Sequence, residues 1–240
     1  MNQGMRLASE LIKIAKAILA YNEFDEKFMD AEKSGKKYIL YNKEGNLWRI
    51  VAVKDFDNVH AGDMGGLVES EKNLSQNGYC WVKDEAKVYG NATVDDFAVV
   101  GEHAKVYGNA EVFGDATVYG NAEIYDDATV QEKSGVDGYA KVHGDAHVGG
   151  TAQVHDNADI AGDAQIYGNS TISGNVVING DDISVKDALV SGDFTIDGEH
   201  DITSDITSIN DLKAVDMLPR AASIAKVARE LISIARMIVR

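Results

Sequence analysis

One proline and one cysteine in 240 residues deny this chain two common structural devices. A single cysteine, Cys80, excludes an intramolecular disulfide framework. Long hydrophobic runs are absent as well. No apolar stretch reaches the ~18 residues of a membrane span, and the N-terminus lacks the charged, apolar and small-residue sections of a cleaved signal peptide. The expected location is therefore cytoplasmic, or a particle assembled there. Positive charge is scarce. Against 39 Asp and Glu stand 23 Lys and Arg, and the formal net charge of −16 disfavours nucleic-acid phosphate as a partner. With 45% hydrophobic and 26% charged residues, the chain still has the composition of one that buries a core.

A period of six fills the middle of the chain. Every sixth residue from Ala86 is small: Ala92, Ala98, Ala104 and onward to Ala164, with Ser134 and Ser170 the two substitutes. Two places after each small residue stands a β-branched aliphatic, from Val88, Val94 and Val100 through Ile160, Ile166 and Ile172 to Ile178. The fifth position of a hexad is usually Gly and the sixth often Asn or Asp, as in Gly90-Asn91 and Gly144-Asp145. Each hexad thus reads small-in, polar-out, Val-in, variable-out, then a corner. A short alternating strand and a turn signal repeated without a spacer leave no room for hairpins or crossover helices, so the chain must coil. Gly and Asn at the corners supply the positive φ such turns need. The register is expected to loosen near the C-terminal end, where Asp182 and Ser184 fall on inward positions.

Ahead of the repeat, Tyr38-Ile39-Leu40-Tyr41 and Leu47-Trp48-Arg49-Ile50-Val51 flank Asn42-Lys43-Glu44-Gly45-Asn46, which predicts a hairpin able to cover the first coil. Cys80 and Val82 already fall in the inward registers, so Cys80 is read as core and not as a nucleophile. The resulting division is an amphipathic helix and linker over 1–33, a β-hairpin cap over 34–79, the solenoid over 80–199, a connection over 200–218 and a second amphipathic helix over 219–240.

The stretch from Gly45 to Val94 carries Leu-Trp-Arg-Ile, Gly-Asp-Met-Gly-Gly, Asn-Leu-Ser and Cys-Trp-Val segments that lead into Ala-Lys-Val-Tyr-Gly-Asn-Ala-Thr-Val. It resembles the YdcK-like hexapeptide-repeat proteins of bacteria and prophages. The resemblance implies three hexads per coil and a left-handed winding; with the residues read above, the expected fold is mainly β, a left-handed parallel β-helix of about six to seven coils with an N-terminal β cap and amphipathic helices at both termini. It also implies the label such proteins usually carry, acyltransferase. Fold alone does not establish that activity.

Transferases of that fold are typically trimers that bind an acyl carrier between subunits and use a histidine as general base. Coenzyme A phosphates usually meet Lys or Arg, yet residues 86–199 hold five lysines, no arginine and twenty Asp plus Glu. Nineteen hexads without an insertion also leave no extruded loop to complete a site. His143 and His155 are the candidate bases, with His147 between them, all at outward positions. Three hexads per coil place the three histidines on different sides of the prism, which argues against a metal cluster. No cofactor and no metal are expected.

Two further patterns point to assembly. Read at every third hexad, the outward fourth positions give Tyr89, Tyr107, Tyr125 and His143, a stripe that either stabilises neighbouring strands or contacts a subunit or partner. The segments 8–19 and 228–239 align without a gap and agree at seven of twelve positions. Both are amphipathic, with stripes through Leu11, Ile14 and Ile18 and through Leu231, Ile234 and Ile238. They are similar to terminal segments of tailed-phage proteins. The expectation is a non-catalytic, phage-encoded assembly protein whose helices dock on further copies, a trimer first, or on another protein; the alternative is a trimeric acyl-CoA-dependent acyltransferase.

Overall fold

The structure, a computed structural model, describes residues 22–208. The expected terminal helices and their stripes (Leu11, Ile14, Ile18; Leu231, Ile234, Ile238) lie outside these residues.

The hexads wind into a parallel solenoid with three sheets, one per side of a triangular prism. In the regular coils each strand pairs with the strand three hexads on, so that Val88 meets Val106 on face I, Val94 meets Val112 on face II, and Val82 meets Val100 on face III. Most strands of the central coils are only two residues long, as at Lys87–Val88, because a corner interrupts every hexad. Their hydrogen bonds run between coils: Lys87 N–H donates to the Ala104 carbonyl at 2.9 Å and Tyr89 N–H to that of Val106 at 3.1 Å. The inward series forms one continuous core, with Ala86 to Ala164 and Val88 to Ile178 essentially inaccessible. Each buried Val or Ile contributes about 1.5–3 kcal/mol. Where serine replaces alanine, the hydroxyl is satisfied: Ser134 Oγ donates to the Gln131 carbonyl at 2.7 Å and Ser170 Oγ to that of Tyr167 at 2.7 Å.

The corners depart from the expectation in one respect. Positive φ belongs to the fifth position alone, at all seventeen such positions from Gly78 to Gly174, and Asn at the sixth position does not share it. Eleven of the seventeen are Gly, and six are acidic: Asp84, Asp96, Glu102, Asp126, Glu132 and Asp156. In every one of the six, the side-chain carboxylate accepts a hydrogen bond from the backbone N–H of the fifth position one coil on, as in Gly120 to Glu102 at 2.9 Å and Gly174 to Asp156 at 3.0 Å. The carboxylate thus offsets the steric cost of a left-handed backbone by pairing an amide outside the ladder. Sixth-position amides do something else: they stack into side-chain ladders, Asn91 to Asn109 at 2.9 Å and Asn109 to Asp127 at 2.8 Å.

The solenoid is longer than six to seven coils. Face I stacks eight parallel strands, and faces II and III stack seven each plus one bridge, Leu74 with Val94 and Val190 with Ile206. The first rung precedes the visible hexads because β3 (Met64–Val68) pairs in parallel with Lys87–Val88. Near the other end, Asp182 is exposed and Ser184 is only partly covered, contrary to the expected inward placement. One extra residue slides the strand over, pairing Val185 with Ile166, so that Ile183 and Val185 fill the core instead. Burying two aliphatics outweighs one irregular turn, with Asp182 at φ 114°.

The cap continues face I. Strands β1 (Tyr38–Glu44) and β2 (Leu47–Ala52) form the hairpin, and β2 pairs antiparallel with β3. The turn is shorter than expected: Gly45-Asn46 closes it, while Asn42 forms a bulge inside β1. Tyr38, Ile50 and Ala52 face the prism end; Ile39, Val51 and Val53 face outward, beneath a helical stretch over 22–33 whose Phe24, Phe28 and Ala31 cover them. At the junction Gly65 approaches so closely that a Cβ would lie 2.5 Å from the Val82 carbonyl and 2.6 Å from the Trp81 ring. Lys37 is buried here. Its Nζ donates to the carbonyls of Asn77 and Cys80, both at 3.0 Å, and lies 3.2 Å from Cys80 Sγ. Burial holds the Lys37 amine below its ordinary pKa and raises that of the Cys80 thiol. Cys80, fully buried, is a core residue of the first coils.

Candidate functional site

Face I carries the most ordered outward surface of the prism. Tyr89, Tyr107 and Tyr125 follow strands stacked in register, so their rings superpose: 5.1 Å apart at 1° and then 5.0 Å at 4°. The His143 imidazole continues the stack at 4.6 Å and 5°. Ring faces are used on each other, leaving edges and hydroxyls to the surroundings. Tyr107 Oη donates to Glu123 at 3.3 Å, and Glu123 pairs with Lys105 at 2.7 Å. That contact holds Glu123 below and Lys105 above their ordinary pKa values, the shared hydrogen bond being the largest cause for both. Burial raises the phenols of Tyr89, Tyr107 and Tyr125; nearby carboxylates add to it, Glu123 for all three and Asp159 most for Tyr125.

His143 ends the ladder beside two carboxylates, with Nε2 2.8 Å from Asp159 and Nδ1 3.9 Å from Asp126. An imidazole held by a carboxylate on one nitrogen is a geometry from which a general base can act. His155, on face III, lies 3.3 Å from its neighbour Asp156, and His147 stands on face II. The structure does not bring the three histidines together, and among the described residues no three metal-ligating side chains converge. Beside the ladder, a groove of about 620 Å³ is lined by Lys87, His103, Lys105, Glu123, Tyr139 and Lys141. Three of the five lysines of residues 86–199 are on the ladder's face. No helix among the described residues is long and apolar enough to cross a membrane.

Sequence reasoning missed two features. The corner carboxylates have their partners three hexads away, a relation visible only once the coil length is known. Lys37 gives no signal at all, since the second of two adjacent lysines ahead of a β segment reads as surface.

A family model described as "YdcK Beta solenoid repeat" matches residues 164–181, which is one coil of three hexads. A curated relative named "Uncharacterized acetyltransferase YdcK", from Escherichia coli (strain K12), is 35% identical over 74 residues. That alignment covers 30% of this chain and 21% of the relative, so the chain matches about a fifth of that protein's length. Over these stretches the solenoid is similar to YdcK-like hexapeptide-repeat proteins.

Proposed function

We propose that the chain is a structural spacer, a β-solenoid that assembles with itself or with another protein through its terminal segments and face I. The observation that carries this reading is the continuous register. Strands return to the same face at every third hexad from Trp81 to Ile178 without an extruded loop, and the outward polar groups that line them are used largely within the prism. Eight rungs span roughly 35 Å at about 4.8 Å each. The ladder face, with its rings and lysines, is the side of this acidic prism best suited to a subunit contact. The terminal segments 8–19 and 228–239, alike at seven of twelve positions, are its docking elements, and a trimer is the assembly to look for. A tailed-phage particle or a bacterial cytoplasm is the setting. Light scattering on the full chain, compared with Ile14→Asp and Ile234→Asp variants, tests the idea. Loss of the oligomer or of a captured partner is the expected result, and an unchanged assembly in both variants would refute docking through these segments.

A second reading is acyl transfer, favoured by the His143–Asp159 contact and by the name the Escherichia coli relative carries. In it His143 Nδ1, with Nε2–H held by Asp159, would take the proton of an acceptor group that attacks the thioester carbonyl, and would return that proton to the coenzyme A thiolate as the C–S bond breaks. Acetyl transfer that disappears in His143→Gln would support it.

A further inference from the structure

Side chains at the outward fourth positions normally meet their neighbours one coil away, and two glycines interrupt the pattern in opposite ways. At Gly101 on face III the neighbours close the gap. A Cβ there would lie 2.7 Å from the Tyr119 ring and 2.8 Å from Lys83 Cε, and Lys83 Nζ sits 4.8 Å from the Tyr119 centroid. At Gly149 on face II they do not. A Cβ there would have Gln131, at 3.4 Å, and Glu132, at 3.7 Å, as its nearest neighbours, both on the preceding coil, and no atom of Tyr167 on the following coil is among the nearest three. Tyr167 instead has Lys186, its register partner one coil further on, 5.7 Å from its centroid. The face of its ring toward Gly149 is left to a notch of about 620 Å³, also bordered by Gln131, Glu132, His147 and Gln165.

We propose that this notch is a binding slot for one planar aromatic ring with a polar edge, taken from a small molecule of the phenol class. The filled ladder on face I gives the geometry. Rings on successive coils there lie 4.6–5.1 Å apart and nearly parallel. A ring placed on the empty rung at Gly149 stacks in the same way between the Gln131 amide plane and the Tyr167 ring. Lys186 on the far side of Tyr167 polarises that ring, and His147 and Gln165, on the same rung and the next, offer hydrogen bonds to a hydroxyl. Gly149 does not have positive φ, so nothing in its backbone demands glycine. What its absent side chain provides is the space.

The test is a saturation-transfer titration of the full chain with p-cresol. Saturable binding in the ~0.1–10 mM range is expected for a probe of eight heavy atoms. Tyr167→Ala should weaken it at least about fivefold by removing one stacking wall. Gly149→Phe, which places a ring on the rung, should abolish it while leaving the melting temperature at or above that of the parent. If that variant does not fold, Gly149→Ala replaces it, because its Cβ has room; a severalfold weakening is expected. No saturation in the parent up to ~20 mM, or undiminished binding in the Gly149 variant, overturns the proposal. So does an oligomer that dissociates in Gly149→Phe without p-cresol binding to the parent, since the slot would then hold a side chain of a second copy.

Discussion

Between residues 78 and 174 an acidic side chain in a left-handed corner is an unfavourable choice made six times, and each time its carboxylate meets the amide one coil on. The physical account separates two costs, steric and hydrogen-bonding. Asp126→Ala keeps the strained φ and loses the bond, so it should cost about 1 kcal/mol in urea denaturation, whereas Asp126→Gly should remain near the parent. The ladder tyrosines give a pH test. Their folded pKa values lie above the ordinary 10.0, so the stability they contribute is complete below pH 10 and is lost as pH rises from there through the folded values. Stability should fall above pH 10, and replacing Tyr89, Tyr107 and Tyr125 by Phe should flatten that fall. Lys37→Met should cost about 1–3 kcal/mol, because the Asn77 and Cys80 carbonyls lose their donor. At this scale the sequence was legible where periodicity speaks: the inward Ala and Val series and the Tyr89 to His143 stack follow from counting by hexads and by coils. The corner carboxylates and Lys37 were not, since their partners lie at separations that only the closed coil defines.

Coils are the units of this fold, and each meets only its neighbours. Removing residues 110–127, one whole coil, returns every later strand to its own face, with Val106 stacking on Val142 in place of Ile124. The shortened chain should therefore still melt cooperatively, at a lower temperature. Removing only two hexads, 110–121, exchanges the faces and should disrupt the ladders, which circular dichroism and a melting curve would separate. The slip at Asp182 is the element that sequence reading misplaced. A strict count by six puts Asp182 and Ser184 inside, but a one-residue shift costs less than burying them and exposing Ile183 and Val185. Asp182→Gly should relieve the φ of 114° and raise stability by up to about 1 kcal/mol. The hairpin was legible from its aromatic segments, and the extra rung at β3 was not, because Met64–Val68 precedes the first regular hexad.

At the largest scale, the described residues form a narrow acidic prism with a covered N-terminal end and one face of stacked rings and lysines. Its outward chemistry serves mainly its own coils, and that is the reason for reading it as a spacer. A coenzyme A site would have to be assembled on this surface by His143 and the face I lysines, between copies if the chain forms trimers. Binding separates the two accounts more directly than activity, because ligand that binds the folded state alone stabilises it by about 2.7 kcal/mol at one hundred times its Kd. The decisive measurement is the melting temperature of the full chain with and without acetyl-CoA. The spacer account expects no saturable change, and a saturable rise with a micromolar midpoint would contradict it.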